Sequence, residues 1–444
     1  MLLRRARGPL AADAIALVAL KAAVSVWVLH QGFTHVSDDD YARTVIAQQL
    51  VHAPRLDPSG TSWLPLPFWL TGAAMAVAGR SLAVARVAAV AFSALAVAAP
   101  YAALRIAGAG RTAAVSATAI AMALPWSAWL GAATVPEGWV GALVAAAVLA
   151  APVDAARPGC AGALLAGSLA RYETWPACAA FAVCCAVKAH RARGAPCGGG
   201  GRVAREIACA AVALSGIAAW LAWNAHAHGD ALHFLARVRT FRAAVGAANV
   251  PLSAKVLTYP RALAGETPEV MVLGVLGLGA MAARPPLRAR WLWAVASAAA
   301  ILAFLVVGDV RDGAPTHHAA RALAPLWWVL TGCGVDAVAS AYPRLGPAGR
   351  RAVVGASAIA AAAWLALLPG RWKDAPGRTE YERRDAQIAR GQDLARRHVA
   401  AAEVTPCSFE HFALLAAWGE PERAAVHDRL GTPPTPACPL LVER

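Results

Sequence analysis

Long apolar blocks alternate with short polar segments along almost the whole chain. Each block runs for about 17 to 25 residues, the length at which a helix crosses a hydrocarbon core of roughly 30 Å. An open sheet would leave backbone groups unpaired in lipid, so the blocks are predicted to be helices. Eleven of them are assigned as spans, at residues 10–30, 82–104, 113–133, 138–154, 160–172, 174–190, 206–224, 268–284, 291–308, 321–341 and 352–369.

Basic residues between the apolar blocks predict the orientation of these spans. Segments rich in Lys and Arg are retained on the cytoplasmic side of a membrane. The segments assigned to that side, together with the N-terminus, are 105–111, 157, 188–205, 284–290 and 344–351. The opposite, extracytoplasmic side then receives residues 31–81, 225–267 and 309–320, and a polar tail from about residue 370.

One apolar segment, residues 63–79, does not fit this alternation. If it crossed the membrane, every later basic segment would change sides. Pro65 and Pro67 interrupt its start, and Trp63 and Trp69 are residues typical of the headgroup region. We therefore interpret it as an interfacial or re-entrant helix on the outer face. The alternative is a full span that breaks the charge rule.

Composition supports a membrane protein and changes the meaning of its charge. The chain is 59% hydrophobic and only 15% charged, although its formal net charge is +15. Basic flanks of membrane spans explain that charge, so no nucleic-acid partner is expected. The predicted fold is an all-α polytopic membrane protein with about 11 transmembrane helices, outer juxtamembrane helices and a small soluble C-terminal domain. Residues 1–369 form the membrane domain and 370–444 the extracytoplasmic domain, in a bacterial inner or plasma membrane.

Cysteine positions do not predict a metal centre. Seven of the nine cysteines lie in or beside apolar blocks without a repeated ligand spacing, which is typical of small core residues. Cys407 and Cys438 lie in the polar tail, on the predicted oxidising side, where a disulfide is compatible with their location.

Three consecutive carboxylates follow the first apolar block. Asp38, Asp39 and Asp40 are costly beside a low-dielectric region unless they bind a cation or accept a proton. Ser37 and Asp40 have the spacing of a helix capping box, which explains Asp40 without a functional role. Asp38 and Asp39 are therefore the candidate catalytic residues.

Glu137 is predicted to lie on the same side of the membrane as this acidic triplet. Sugar transfer needs a base, and it often uses a second carboxylate to orient the acceptor or a metal ion. Glu137 is the candidate for that second role, and a loop carboxylate or a helix cap is the structural alternative. The sequence leaves a divalent cation open and indicates no other cofactor.

Cationic residues near the apolar blocks are candidates for binding a phosphate group. Arg171 lies in otherwise apolar surroundings, where an ionisable residue often has a functional role; an ion pair with Glu173 is the alternative. His317, His318 and Arg321 occupy the last outer segment, and we assign them and Arg171 to a donor phosphate. A zinc site formed by the two histidines with Asp309 and Asp312 is the alternative there.

The order of these motifs resembles the membrane-embedded glycosyltransferases of the GT-C type, close to the protein mannosyltransferases and aminoarabinose transferases. The motifs are Asp38-Asp39 with Tyr41-Ala42, residues 63–67 with Gly79 and Arg86, Pro136-Glu137, and residues 317–325. The resemblance implies inversion at an anomeric carbon and a polyprenyl phosphate leaving group, with Asp38 activating the acceptor and Asp39 beside it. Asp40, Arg43 and Ala322 depart from the family pattern.

The predicted function is transfer of a sugar from a polyprenyl-phosphate donor to a lipid, glycan or protein acceptor on the outer face. Its expected partners are that donor, membrane lipid and an unidentified acceptor. A transporter or flippase of lipid-linked sugar is the first alternative, because ionisable residues also line transport paths. A polysaccharide ligase or polymerase is the second, and the basic outer segment 225–267 leaves that option open.

Overall fold

The computed structural model of the chain describes residues 7–193, 199–244, 250–313, 318–406, 409–427 and 440–443. Three residues named in the predictions, His317, Cys407 and Cys438, lie outside these ranges. The disulfide between the two cysteines and the role of His317 therefore stay predictions.

Between residues 7 and 193, the first described range, the chain forms ten α-helices. Prolines define several of their boundaries, because a proline lacks the backbone N–H that continues a helix but fits its first turn. Thus α6 ends at Ala123 and Pro125 begins the next helix. The helices are α1 (Arg7–His30), α2 (Asp39–His52), α3 (Leu66–Ala78), α4 (Leu82–Ala96), α5 (Ala98–Ile106), α6 (Arg111–Ala123), α7 (Pro125–Leu130), α8 (Glu137–Ala150), α9 (Arg157–Ser168) and α10 (Trp175–Arg193).

Nine more α-helices follow in the ranges described from residue 199 onward. Pro268 and Pro285 again lie at helix starts, and α13 meets α14 at a bend of 99°. The helices are α11 (Gly199–His228), α12 (His233–Ala244), α13 (Leu252–Glu266), α14 (Pro268–Ala283), α15 (Pro285–Val310), α16 (Ala324–Ala341), α17 (Pro347–Lys373), α18 (Tyr381–Arg396) and α19 (His411–Trp418). Short 3₁₀ helices lie at Asp154–Ala156, Tyr172–Thr174, Ala319–Leu323, Tyr342–Arg344, Arg378–Glu380 and Pro421–Arg423.

The protein is an integral membrane protein, but eleven spans are not confirmed. Among the described residues, six helical segments are long and apolar enough to cross a membrane, or seven if the bent pair α13–α14 is one span. The predicted spans at 138–154 and 160–172 correspond to α8 and α9, which have 14 and 12 residues. Both are shorter than the ~20 residues that a crossing needs, so length and composition do not identify them as spans.

Helix α3 contains most of the segment that the charge rule left unplaced. Its 13 residues extend about 20 Å as helix, less than the roughly 30 Å of a hydrocarbon core. The helix packs against α2, where a Cβ atom at Gly72 would lie 3.0 Å from the Leu50 side chain. This length and packing agree with a juxtamembrane helix beside the acidic triplet.

The C-terminal segment contains a small sheet, so the all-α prediction is wrong there. The sheet has the order β2-β1-β3, with β1 parallel to β2 and antiparallel to β3. Strands of three or four residues are too short to show an alternating pattern in the sequence. The strands are β1 (Ala402–Thr405), β2 (Ala424–Val426) and β3 (Leu440–Glu443).

The C-terminal segment shares a hydrophobic core with the region of α2. Tyr41 and Val45 of α2 are buried in the same cluster as Leu414 and Trp418 of α19. The predicted boundary at residue 369 falls inside α17, which continues to Lys373. An independent soluble domain is therefore not confirmed, because this segment packs directly onto α2.

Candidate active site

The three aspartates at the start of α2 have three different partners, and Asp40 has a structural one. One of its carboxylate oxygens accepts from the backbone N–H groups of Val36 (3.1 Å) and Ser37 (3.3 Å), and the other from that of Thr134 (2.8 Å). Burial raises the pKa of Asp40 to about 6, against the effect of these three donors. Asp40 thus forms one half of the predicted capping box, its bond to the Ser37 N–H, and joins the start of α2 to the segment before α8.

Asp39 contacts Arg321 of the Ala319–Leu323 turn. The Nη2 atom of Arg321 donates to Asp39 Oδ2 at 2.7 Å, and its Nη1 atom donates to the Ser37 hydroxyl at 3.2 Å. Asp39 keeps 24% of its side chain exposed, whereas Arg321 is buried. The carboxylate is therefore fixed by one cation and still reachable from outside.

Asp38 contacts the C-terminal segment instead. Arg384 of α18 donates to both of its carboxylate oxygens, at 2.7 and 2.9 Å. The same buried guanidinium also lies 2.9 Å from Glu380 and 3.0 Å from Glu410. The sequence analysis did not identify Arg384, because it lies in a tail dense in both charge signs where no single arginine stands out.

Glu137 lies between two arginines. Its Oε1 atom is 3.0 Å from Arg171 Nη1 and 3.5 Å from Arg321 Nε, and its side chain is fully buried. Arg171 also donates to Glu173 at 2.8 Å, so the ion pair given as an alternative is formed. We call Asp39, Glu137, Arg171, Glu173 and Arg321 the ion-pair cluster. Four of the candidate residues from the sequence meet in it: Asp39, Glu137, Arg171 and Arg321.

A close helix contact brings Glu137 to Arg321. Glu137 is the first residue of α8, and Arg321 lies three residues before α16. A Cβ atom at Gly141 would lie only 2.5 Å from the Cβ of Ala324, so only glycine permits this approach of α8 to the start of α16. The two charged residues consequently meet although 184 positions separate them in the sequence.

Hydrogen bonds tie the start of α3 to the turn that contains Arg171. The backbone N–H of Leu66 donates to the carbonyl of Leu169 at 3.0 Å. The Tyr172 hydroxyl donates to the carbonyl of Ser62 at 2.8 Å. These two bonds place the chain around residue 63 next to the ion-pair cluster.

Arg43 lies beside this cluster. In the sequence it stands out only as a departure from the family pattern. Its guanidinium carbon lies 4.5 Å from the ring centroid of Trp63 and 5.5 Å from that of Phe68. Its side chain is buried, and its Nε and Nη1 atoms have no hydrogen-bond partner. Burial lowers the pKa of Arg43 to about 10, against the effect of Glu137 and Asp39, so it stays charged at neutral pH.

His318 adopts a left-handed backbone conformation, with φ of 54°, immediately before the turn that contains Arg321. Its ring lies 6.0 Å from the ring of Trp126 on α7. The structure thus places His318 next to the turn of Arg321, and a role in phosphate binding stays a prediction.

The two aspartates considered for a zinc site have cationic partners. Asp309 accepts from Arg242 at 2.6 Å, and Asp312 accepts from Lys255 at 2.7 Å. In the described part of the chain, no three His, Cys, Asp or Glu residues come together in a way that could hold a metal ion. Because His317 lies outside that part, the geometry does not test the zinc alternative.

Together these residues form a charged, largely buried site at one end of the helices. Carboxylates that are reachable from outside can accept a proton, and fixed guanidinium groups can stabilise a developing negative charge. The low dielectric of the surroundings strengthens both effects. Such a site can support transfer of a group whose leaving atom becomes anionic.

The fold matches that of solved GT-C glycosyltransferases. ArnT, an aminoarabinose transferase from Cupriavidus metallidurans, in its apo state matches 91% of this chain and 75% of its own, with a TM-score of 0.50 and 17% identity. The same protein bound to undecaprenyl phosphate matches 90% of this chain and 74% of its own, with a TM-score of 0.47 and 17% identity. No protein-family model and no curated protein matches the sequence. The chain therefore has a GT-C type fold, as its motif order predicts.

Proposed function

We propose that the protein is an inverting glycosyltransferase that takes a sugar from a polyprenyl-phosphate donor. The observation that supports this most is the ion-pair cluster, in which Asp39 and Glu137 meet two arginines at one end of a GT-C type fold. The acceptor is a lipid, glycan or protein. The basic segments of the sequence favour an extracytoplasmic location for this end of the molecule.

Asp39 is our candidate for the residue that activates the acceptor. Asp38, which the resemblance favoured, uses both carboxylate oxygens in its contact with Arg384. Asp39 instead lies in the cluster, where it accepts a hydrogen bond from Arg321 and stays partly exposed. An ionised carboxylate can accept a proton from an acceptor hydroxyl or amine as that group attacks the anomeric carbon. Asp38 then has a positioning role, because it fixes the start of α2 to the C-terminal segment.

The remaining cluster residues would serve the leaving group. Arg171 and Arg321 can stabilise the charge that develops on the phosphate when the glycosidic bond breaks. Glu137 holds these two guanidinium groups together, so it orients the cations. The proposed mechanism does not use a metal ion at Glu137, because this carboxylate already has two cationic partners.

Sugar transfer by purified protein tests the proposal. Radiolabelled sugars on synthetic polyprenyl phosphates are offered to the wild type, Asp39→Asn, Asp38→Asn and the control Asp230→Asn. Asp230 is a useful control because it accepts from the backbone of Leu232 in an exposed turn. We expect Asp39→Asn to lose about 10²- to 10⁴-fold in rate, the usual contribution of a positioned acid or base.

Two outcomes would contradict this assignment. Full activity of folded Asp39→Asn would remove Asp39 from the mechanism, and loss of transfer in Asp38→Asn alone would return the role to Asp38. If the wild type consumes none of several donors in the presence of varied acceptors, the transporter or ligase alternatives become the better explanation.

A further inference from the structure

The guanidinium group of Arg43 has unused hydrogen-bonding capacity in a buried place. Its side chain is 6% exposed, and two of its three nitrogens have no acceptor. A buried donor without an acceptor loses its contact with water and gains nothing in return. An arginine kept in this state needs either a large structural benefit or a ligand that supplies the acceptor.

The neighbouring arginines do not share this property. Arg171 is bound to Glu137 and Glu173, and Arg321 is bound to Asp39 and to the hydroxyl of Ser37. A phosphate that relied on them alone would have to compete with these carboxylates. The donors of Arg43 on Nε and Nη1 are available without breaking any hydrogen bond.

The two aromatic rings define which part of Arg43 remains available. The Arg43 guanidinium carbon lies 4.5 Å from the ring centroid of Trp63 and 5.5 Å from that of Phe68, over the faces of both rings. Aromatic rings attract the positive charge but do not supply the oxygen acceptors that N–H groups need, so these contacts leave the N–H groups on Nε and Nη1 for an anion. Phosphate oxygens suit these donors, because charge-assisted hydrogen bonds from a guanidinium group to phosphate are strong.

We propose that Arg43 is the anchor for the phosphate of the lipid-linked donor, with its guanidinium held over the rings of Trp63 and Phe68. This inference rests on the proposed function and makes it more specific, because it assigns the first contact with the phosphate to a residue outside the ion-pair cluster. Arg171 and Arg321 then act when negative charge develops during transfer.

Binding of undecaprenyl phosphate in detergent, measured without any sugar or acceptor, tests the inference. The variants are Arg43→Gln, Arg43→Lys and the control Arg311→Gln, which changes an exposed arginine at the end of α15. We expect binding to weaken at least about tenfold in Arg43→Gln, less in Arg43→Lys, and not at all in the control. Equal affinity of wild type and Arg43→Gln for undecaprenyl phosphate would overturn the inference.

Two further ligands separate the possible sources of the phosphate. Undecaprenol lacks the phosphate, so its weaker binding should not depend on Arg43. Inorganic phosphate should compete only at much higher concentration, because it lacks the lipid chain. If Arg43→Gln weakens the binding of inorganic phosphate but not that of undecaprenyl phosphate, the site binds free phosphate and the assignment to the donor is wrong.

Stability separates a ligand role from a structural one. Arg43→Met removes two unpartnered donors and keeps the side-chain length, so the ligand-free protein should melt within about 3 °C of the wild type. A structural role predicts a clear fall in melting temperature and no selective loss of phosphate affinity. If binding of undecaprenyl phosphate depends on Arg43 but the wild type transfers no sugar, the proposed function alone is contradicted. If the wild type transfers sugar but binding of undecaprenyl phosphate does not depend on Arg43, this inference alone is contradicted.

Discussion

Two buried arginines near opposite ends of α9 differ in how completely their donors are used. Arg157, the first residue of α9, donates from all three nitrogens, to the carbonyl of Ala151 and to the carboxylates of Glu206 and Asp154. Arg43 lies near the other end, next to the Arg171 turn, and two of its nitrogens donate to nothing. The comparison shows that burial of a charge alone does not indicate a site. The unused donors beside the ion-pair cluster are the feature on which the proposed role of Arg43 rests.

The largest expected effect is on stability at the Arg157 end. Arg157→Met leaves Glu206 buried without its main partner, and breaking such a pair costs about 3–5 kcal/mol. We expect a large fall in the melting temperature of the detergent-purified protein. Adding Glu206→Gln should recover part of it, because the second change removes the unpaired charge. Equal melting temperatures for Arg157→Met and Arg43→Met would erase the distinction between the two arginines.

An effect of intermediate size is expected in the pH dependence of stability, through His35. His35, buried between α1 and α2, has its pKa lowered to about 3, chiefly by burial and also by Arg384 and Arg86. The unfolded chain binds this proton below about pH 6.5 and the folded protein does not, so stability falls as pH decreases from 6.5 toward 3. The slope is about 1.4 kcal/mol per pH unit for this one group.

Melting temperatures measured between pH 5 and pH 7 check this prediction. His35→Gln should flatten the dependence, because glutamine does not titrate. His226→Gln serves as the control, since its side chain is exposed near the end of α11. If His35→Gln keeps the slope of the wild type, the acid sensitivity comes from other groups.

The smallest expected effect concerns the rings around Arg43. Trp63→Leu removes the nearer of the two rings that hold the guanidinium, and a cation–π contact contributes about 0.5–2 kcal/mol. Undecaprenyl phosphate should therefore bind about 2- to 30-fold more weakly, and Trp63→Phe should retain most of the affinity. An unchanged affinity in Trp63→Leu would show that the rings do not position Arg43.

The sequence by itself determined the membrane character of the chain and most members of its candidate site. Apolar blocks long enough to cross a bilayer, interrupted by prolines and basic segments, leave helices as the stable structure in lipid. Charged residues in such surroundings are costly, so the sequence alone marks four candidates: Asp39, Glu137, Arg171 and Arg321. The contact of Asp40 with the backbone of Ser37 followed from local spacing alone.

Only the tertiary structure decided how these residues divide their roles. Asp38 and Asp39 are neighbours in the chain, yet they bind different arginines. Arg384, 346 positions away, donates to Asp38, whereas Arg321 donates to Asp39. The unused donors of Arg43 likewise depend on which side chains from distant segments reach it, and no local pattern encodes that. The sequence shows which charges must be buried at a cost, whereas long-range packing determines which of them find a partner inside the protein.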